Sequence, residues 1–212
     1  IGRALVRGVC NAFYKVYKRV TVVLSIGCVI ETASWKGQPD AILLAWTPGQ
    51  EVGNSVADVL TGKSNPSGKL SMTFPTSYLA MPSSAIFPYN GQVQQQQGRC
   101  GFGGRNAGNK DIDYTNYAEG IWVGYRYFNT AGVEVSYPFG YGLSYTTFEY
   151  SKPTVKAKDG GFEATITVKN TGKVAGKEAV EIYVSAPGGG LVKPESELKA
   201  FGKTRLLKPG ES

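Results

Sequence analysis

Asp40-Ala41-Ile42-Leu43-Leu44-Ala45-Trp46-Thr47-Pro48-Gly49-Gln50-Glu51 opens the stretch whose reading decides the fold, and the stretch runs on to Pro75. Ala41 to Trp46 is a continuous apolar run bounded by turn residues, the pattern of a strand buried on both faces. Pro48-Gly49 turns the chain, and Gln50 or Glu51 opens a helix whose Val52, Val56, Val59 and Leu60 recur at helical spacing until Gly62 stops it. An acid in the first turn suits the helix dipole. Asn65-Pro66-Ser67-Gly68 reads as a turn, and Lys69 to Phe74 alternates like a strand that ends against Pro75. The unit is strand, helix, strand.

Upstream the alternation repeats. Leu5, Val9, Ala12, Phe13 and Val16 form an amphipathic stripe, and Val20 to Ile26 is a β-branched run ending at Gly27. Helices alternating with apolar strands predict a mainly parallel sheet between helix layers, so residues 1–75 read as the end of an α/β sandwich. Ile1 sits in or beside a helix with no charged or apolar leader before it, so the chain is expected to start mid-domain.

Downstream the pattern changes. Residues 137–212 carry short alternating runs, Phe162 to Val168 and Ala179 to Val184, between Asn170-Thr171-Gly172 and Pro187-Gly188-Gly189-Gly190 turns, which predicts an all-β sandwich with too few strands to close. Residues 76–136 join the two regions. Thr76 to about Lys110 is rich in Pro, Ser, Gln and Gly, with Gln94-Gln95-Gln96-Gln97 at its centre, and has little to bury. A solvent loop is the plain reading; a functional lid, a protomer contact or an active-site rim is the alternative.

Composition excludes several function classes. The net charge of +7 divides as +4 over residues 1–75, −1 over 76–150 and +4 over 151–212, without a basic block. Spaced lysines such as Lys152, Lys156 and Lys158 read as solvated faces, so nucleic acid is rejected as a partner. No run reaches the roughly 18 apolar residues of a spanning helix, so no membrane partner is expected. Cys10, Cys28 and Cys100 have neither metal-ligand spacing nor an even count, which makes buried free thiols the default for Cys10 and Cys28. With no His in the chain, Ser-His-Asp and Cys-His catalysis within it are ruled out, and no metal or other cofactor is expected. Carboxylates are the remaining candidates for chemistry.

The motifs Trp46-Thr47-Pro48-Gly49-Gln50-Glu51, Ala57-Asp58-Val59-Leu60-Thr61-Gly62, Asn65-Pro66-Ser67-Gly68-Lys69-Leu70 and Thr73-Phe74-Pro75 closely resemble the C-terminal sandwich domain of glycoside hydrolase family 3 β-glucosidases. Glu119 to Phe128 and Tyr137 to Thr146 resemble the segment that joins it to a fibronectin type III-like domain, and Asn170-Thr171-Gly172, Ala175-Gly176, Leu198-Lys199 and Pro209-Gly210-Glu211 continue the match. The resemblance implies hydrolysis of terminal β-linked glucose with retention of configuration, which needs a nucleophile and a proton donor roughly 5 Å apart. In the family the nucleophilic Asp lies in a Ser-Asp-Trp-type motif of a barrel, and the acid/base Glu in a Ser-Gly-Glu-type loop upstream of the helix matched by residues 1–16. Neither motif occurs here, and Gly210-Glu211-Ser212, at the far end, is not given the role.

The sequence therefore assigns no catalytic residue to this chain. Glu51 reads as a helix-start acid, Asp58 as helix surface, and Glu119 as an acid at the start of a strand over Ile121 to Phe128. Tyr114, Tyr117, Trp122, Tyr125, Tyr127 and Tyr137 offer ring faces to sugars, but alternation along that strand favours packing between domains. Trp46, Gln50, Glu51, Trp122, Tyr125 and Arg126 are the domain-interface candidates. The expected partners are a β-glucoside or oligosaccharide, met through a barrel outside these residues, and the rest of the parent enzyme; a homo-oligomer is left open. The alternative is a non-catalytic carbohydrate-binding or architectural module.

Overall fold

The computed structural model describes residues 2–85 and 117–212. Helix α1 (Gly2–Phe13) follows the apolar stripe; Cys10 is buried beneath it while Leu5, Val9 and Phe13 stay exposed, and Val16 falls in the turn beyond. Strands β1 (Thr21–Leu24) and β2 (Ala41–Leu44) pair in parallel, from Thr21 opposite Ala41 to Leu24 opposite Leu44. Parallel neighbours need a crossover. Here it is a set of turns anchored by buried Thr32 and Trp35, whose indole N–H donates to the Glu31 carbonyl at 2.8 Å. Asp40 fastens its far end, accepting from the Val20 N–H and the Tyr14 hydroxyl, each at 2.7 Å.

Trp46 leaves β2 with φ at 54°, a left-handed conformation rare outside glycine, and the chain turns through a 3₁₀ segment (Gly49–Glu51) into α2 (Val52–Leu60). Thr61 closes that helix by donating its hydroxyl to the Ala57 carbonyl at 2.7 Å. The short strand β3 (Phe74–Pro75) pairs antiparallel with β4 (Val135–Tyr137), which returns the chain to this half. Between them lies α3 (Tyr125–Thr130).

The β-rich half consists of antiparallel pairs: β5 (Phe148–Tyr150) with β8 (Val168–Asn170), β6 (Thr154–Lys158) with β7 (Gly161–Thr165), and β9 (Ala179–Val184) with β10 (Glu197–Lys203). A bridge between Gly176 and Leu207 ties the turns together. Among the described residues β1–β2 is the one parallel pair, and each sheet has two strands.

Four expectations are corrected. Ile121 to Phe128 does not run as a strand: Glu119 and its neighbours form a turn, Gly124 adopts φ of 56°, and α3 follows. Aromatic alternation fits a strand, but Tyr125 and Phe128 are also three apart, and burial of Phe128 decides for the helix. Lys69 to Phe74 pairs as a strand only at Phe74, because the Leu70 backbone is already committed to the neighbouring loop, donating to the Tyr141 carbonyl and accepting from the Gly140 N–H, both at 2.8 Å. β2 is half-buried at Ile42 to Leu44 and exposed at Ala41, not covered on both faces. Cys28 is exposed, lying in the open crossover, while Cys10 is buried. Cys100, Tyr114 and the Gln-rich centre of the loop lie outside the described residues.

Candidate functional site

A glycosidase site needs a carboxyl kept protonated beside one kept ionised. Four of the described carboxylates are engaged otherwise. Glu51 accepts from the Asn54 amide at 2.7 Å, one turn into α2. Asp58 pairs with Lys63 at 3.0 Å on the same helix's surface. Asp40 is held below the ordinary carboxyl range, first by the Val20 N–H and then by the Tyr14 hydroxyl. Glu211 is also held low, by the Lys208 N–H and then by Arg205, whose guanidinium lies 3.0 Å away. Both shifts favour the charged form, the opposite of what a proton donor requires. Glu119 is half-buried with one oxygen lacking a hydrogen-bond partner.

The interface candidates separate into two groups. Tyr125 and Arg126 sit where α3 meets the β-rich half: the Leu198 N–H donates to the Tyr125 hydroxyl at 2.8 Å, and Arg126 Nε lies 3.4 Å from a Glu197 carboxylate oxygen. Tyr125 also packs on Phe139 and Tyr183, with ring centroids 4.9 and 5.7 Å away. Burial, and then a hydrogen bond to Glu181, raise the pKa of Tyr183, so that phenol stays a neutral donor. Trp122 is half-buried in the turn before α3, its N–H donating to the Glu119 carbonyl at 3.0 Å.

Trp46, Gln50 and Glu51 lie elsewhere, beyond the carboxyl end of β2. Trp46 is half-buried against Phe74 at 6.2 Å, whereas Gln50 and Glu51 are exposed. Phe74 passes this packing on to Tyr137 at 6.3 Å and Tyr137 to Tyr141 at 5.1 Å, so these four aromatics form one line. Beside it Lys36 donates to the Ser136 carbonyl at 2.7 Å and lies 4.9 Å from the centre of the Tyr137 ring.

Sequence reasoning missed the polar junction of the two halves. Asn65 Oδ1 accepts from the Ser144 hydroxyl at 2.9 Å and the Tyr145 N–H at 2.8 Å, while its amide donates to the Ala175 carbonyl at 3.0 Å. Lys69 pairs with Glu178 at 2.9 Å. The turn letters around Asn65 signalled the bend; nothing in them signalled partners so distant in sequence.

Two apolar grooves stand out among the described residues. One of about 520 Å³ runs between α1 and β1, lined by Leu5, Val9, Phe13, Tyr17 and Val22. The other, about 620 Å³, lies over the β-rich half beside Val168, Val180, Ile182, Phe201 and Leu207. No group of His, Cys, Asp and Glu with metal-holding geometry occurs among the described residues, and no described helix is long and apolar enough to cross a membrane.

Comparison with known proteins fits this geometry. The model of the glycosyl hydrolase family 3 C-terminal domain matches residues 2–145, and that of the fibronectin type III-like domain matches residues 178–212. Beta-glucosidase A of Butyrivibrio fibrisolvens is 41% identical, the alignment covering 92% of this chain and 24% of that protein. An exo-alpha-(1->6)-L-arabinopyranosidase of Bifidobacterium longum is 40% identical over 92% of this chain and 23% of its own length. The solved structure of beta-glucosidase 3B from Thermotoga neapolitana in complex with glucose superposes with a TM-score of 0.82 at 46% identity, covering 99% of this chain and 27% of that one. The chain thus spans about a quarter of the length of the relatives it matches.

Proposed function

The chain belongs to glycosyl hydrolase family 3, and on that premise we propose that it works as the C-terminal portion of a retaining β-glucosidase, removing terminal β-linked glucose from oligosaccharides. The single observation that carries this reading is the ordered match of both family regions to this chain, 2–145 followed by 178–212. Both catalytic carboxylates are supplied outside it, a view supported by the prior engagement of Asp40, Glu51, Asp58 and Glu211 in local contacts.

In this reading residues 1–75 form part of an α/β sandwich with a mainly parallel sheet, residues 76–136 a connection, and residues 137–212 part of a fibronectin type III-like sandwich. The parallel register of β1 on β2 supports the first assignment. Trp46, Gln50, Glu51, Trp122, Tyr125 and Arg126 act at domain interfaces. For Tyr125 and Arg126 the supporting contacts are those to β10. The chain's role in turnover is to support the domain that carries the bond-breaking acids. A β-glucosidase and an arabinopyranosidase resemble this chain equally well, which supports placing sugar choice outside these residues.

The test uses the full polypeptide that carries this chain and an aryl β-glucoside. Glu51→Gln, Glu119→Gln and Glu211→Gln should each keep kcat within about threefold of the parent, because none of these groups moves the proton. A loss of roughly a thousandfold, the scale of a removed general acid, in any one would place a catalytic carboxylate in this chain.

A further inference from the structure

We propose that the Asn65–Leu70 turn is a clamp whose shielded Lys69–Glu178 ion pair locks the β-rich half onto the α/β half, so that the two unfold as one unit. The turn grips from both sides. Toward residues 140–145, the Leu70 backbone exchanges hydrogen bonds with Gly140 and Tyr141, and Asn65 binds Ser144 and Tyr145. Gly142 lies so close that a Cβ there would overlap the Gly68 carbonyl oxygen, which leaves room for glycine alone. Toward residues 175–178, Asn65 reaches the Ala175 carbonyl, and a Cβ on Gly176 would stand 2.7 Å from the Asn65 amide nitrogen.

Lys69 crosses between the halves. Its ammonium donates to the Gly142 carbonyl at 3.1 Å and meets Glu178 Oε1 at 2.9 Å, with 19% of the Lys69 and 10% of the Glu178 side chain exposed. The same Glu178 oxygen accepts the Tyr150 hydroxyl at 2.7 Å, and the Glu178 N–H donates to the Thr204 hydroxyl at 3.0 Å. One carboxylate therefore gathers β5 and the start of β9 around a cation supplied by the other half. Shielded charges give such a contact a particular signature: removing one partner strands the other without water or a counter-charge, whereas removing both does not. An exposed surface pair has no such asymmetry.

The clamp rests on the packing of the two halves and not on the hydrolytic reading, so its readout is unfolding and proteolysis instead of turnover. In the full polypeptide, Lys69→Met, Glu178→Gln and the double variant are compared by limited proteolysis within residues 146–178 and by scanning calorimetry. Glu178→Gln keeps an acceptor for Tyr150. Each single variant should raise the cleavage rate by about tenfold and separate the unfolding of the two halves, and the double variant should be cleaved more slowly than either single one. Cleavage within about twofold of the parent in the single variants, or strictly additive effects in the double one, would overturn the clamp. If Lys69→Met yields no folded protein, Glu178→Gln alone decides by the same rate criterion.

Discussion

The two halves of this molecule differ in the weight their cores place on buried polar groups. In residues 2–75 the apolar Cys10, Trp35 and Phe74 are buried, together with the small hydroxyl side chains of Thr32 and Thr73. In residues 146–212 Val168 and Leu207 are buried, but the most buried side chain is polar: Asn170 is 0% exposed, and Thr146 and Glu178 are buried as well. Apolar burial is non-directional and follows sequence period, while a buried amide is stable only if each of its hydrogen bonds is met. Asn170 meets them all. Its Oδ1 accepts from the Thr146 hydroxyl at 2.7 Å and the Gly172 N–H at 3.0 Å, and its amide donates to the Val174 and Leu207 carbonyls, each at 2.9 Å.

The contrast predicts unequal damage. Asn170→Ala removes four hydrogen bonds at once, taking from the Thr146 hydroxyl and the Val174 carbonyl the partner each has there, and should destabilise the β-rich half by about 3–5 kcal/mol in denaturant titration, more than an apolar truncation in the other half. Phe74→Ala removes a ring that packs on Trp46 and Tyr137 and should destabilise the α/β half by about 3–4 kcal/mol, in the lower part of the range of Phe truncations in cores. A larger loss from Phe74→Ala than from Asn170→Ala would erase the distinction drawn between the halves.

Acid should act more gently, at the edges. Asp40 and Glu211 titrate lower in the folded chain than in the unfolded one, so the unfolded chain takes up more protons as pH falls. Their contribution is full above the ordinary carboxyl range near about 4 and is lost as pH drops through the lower folded values. Asp40→Asn should therefore melt below the parent at neutral pH and approach it at low pH. A gap in melting temperature that stays constant with pH would contradict this assignment.

The same contrast explains what the sequence made legible. α1 and α2 were readable because apolar residues recur there at helical spacing, and β1 and β2 because each lies in a short unbroken apolar run. α3 was not, since aromatic residues suit strands as well as helices, and the burial of Phe128, which the sequence does not mark, settles the choice. The junction was illegible for a related reason: a Lys and a Glu in separate turns carry no mark of pairing, and only the fold brings Lys69 to Glu178. Exposure of Cys28 was equally hidden, because thiol burial is a tendency of the residue type and not of this open crossover. The expectation that the catalytic acids lie elsewhere rests on motifs alone, as neither a Ser-Asp-Trp nor a Ser-Gly-Glu stretch occurs in the chain.

The most direct test of the central claim, that the proton-moving groups lie outside these residues, is to purify the 212-residue chain and measure hydrolysis of an aryl β-glucoside. The account predicts release of the aglycone no faster than in buffer. Saturable turnover that disappears when one of the chain's own carboxylates is converted to its amide would contradict it.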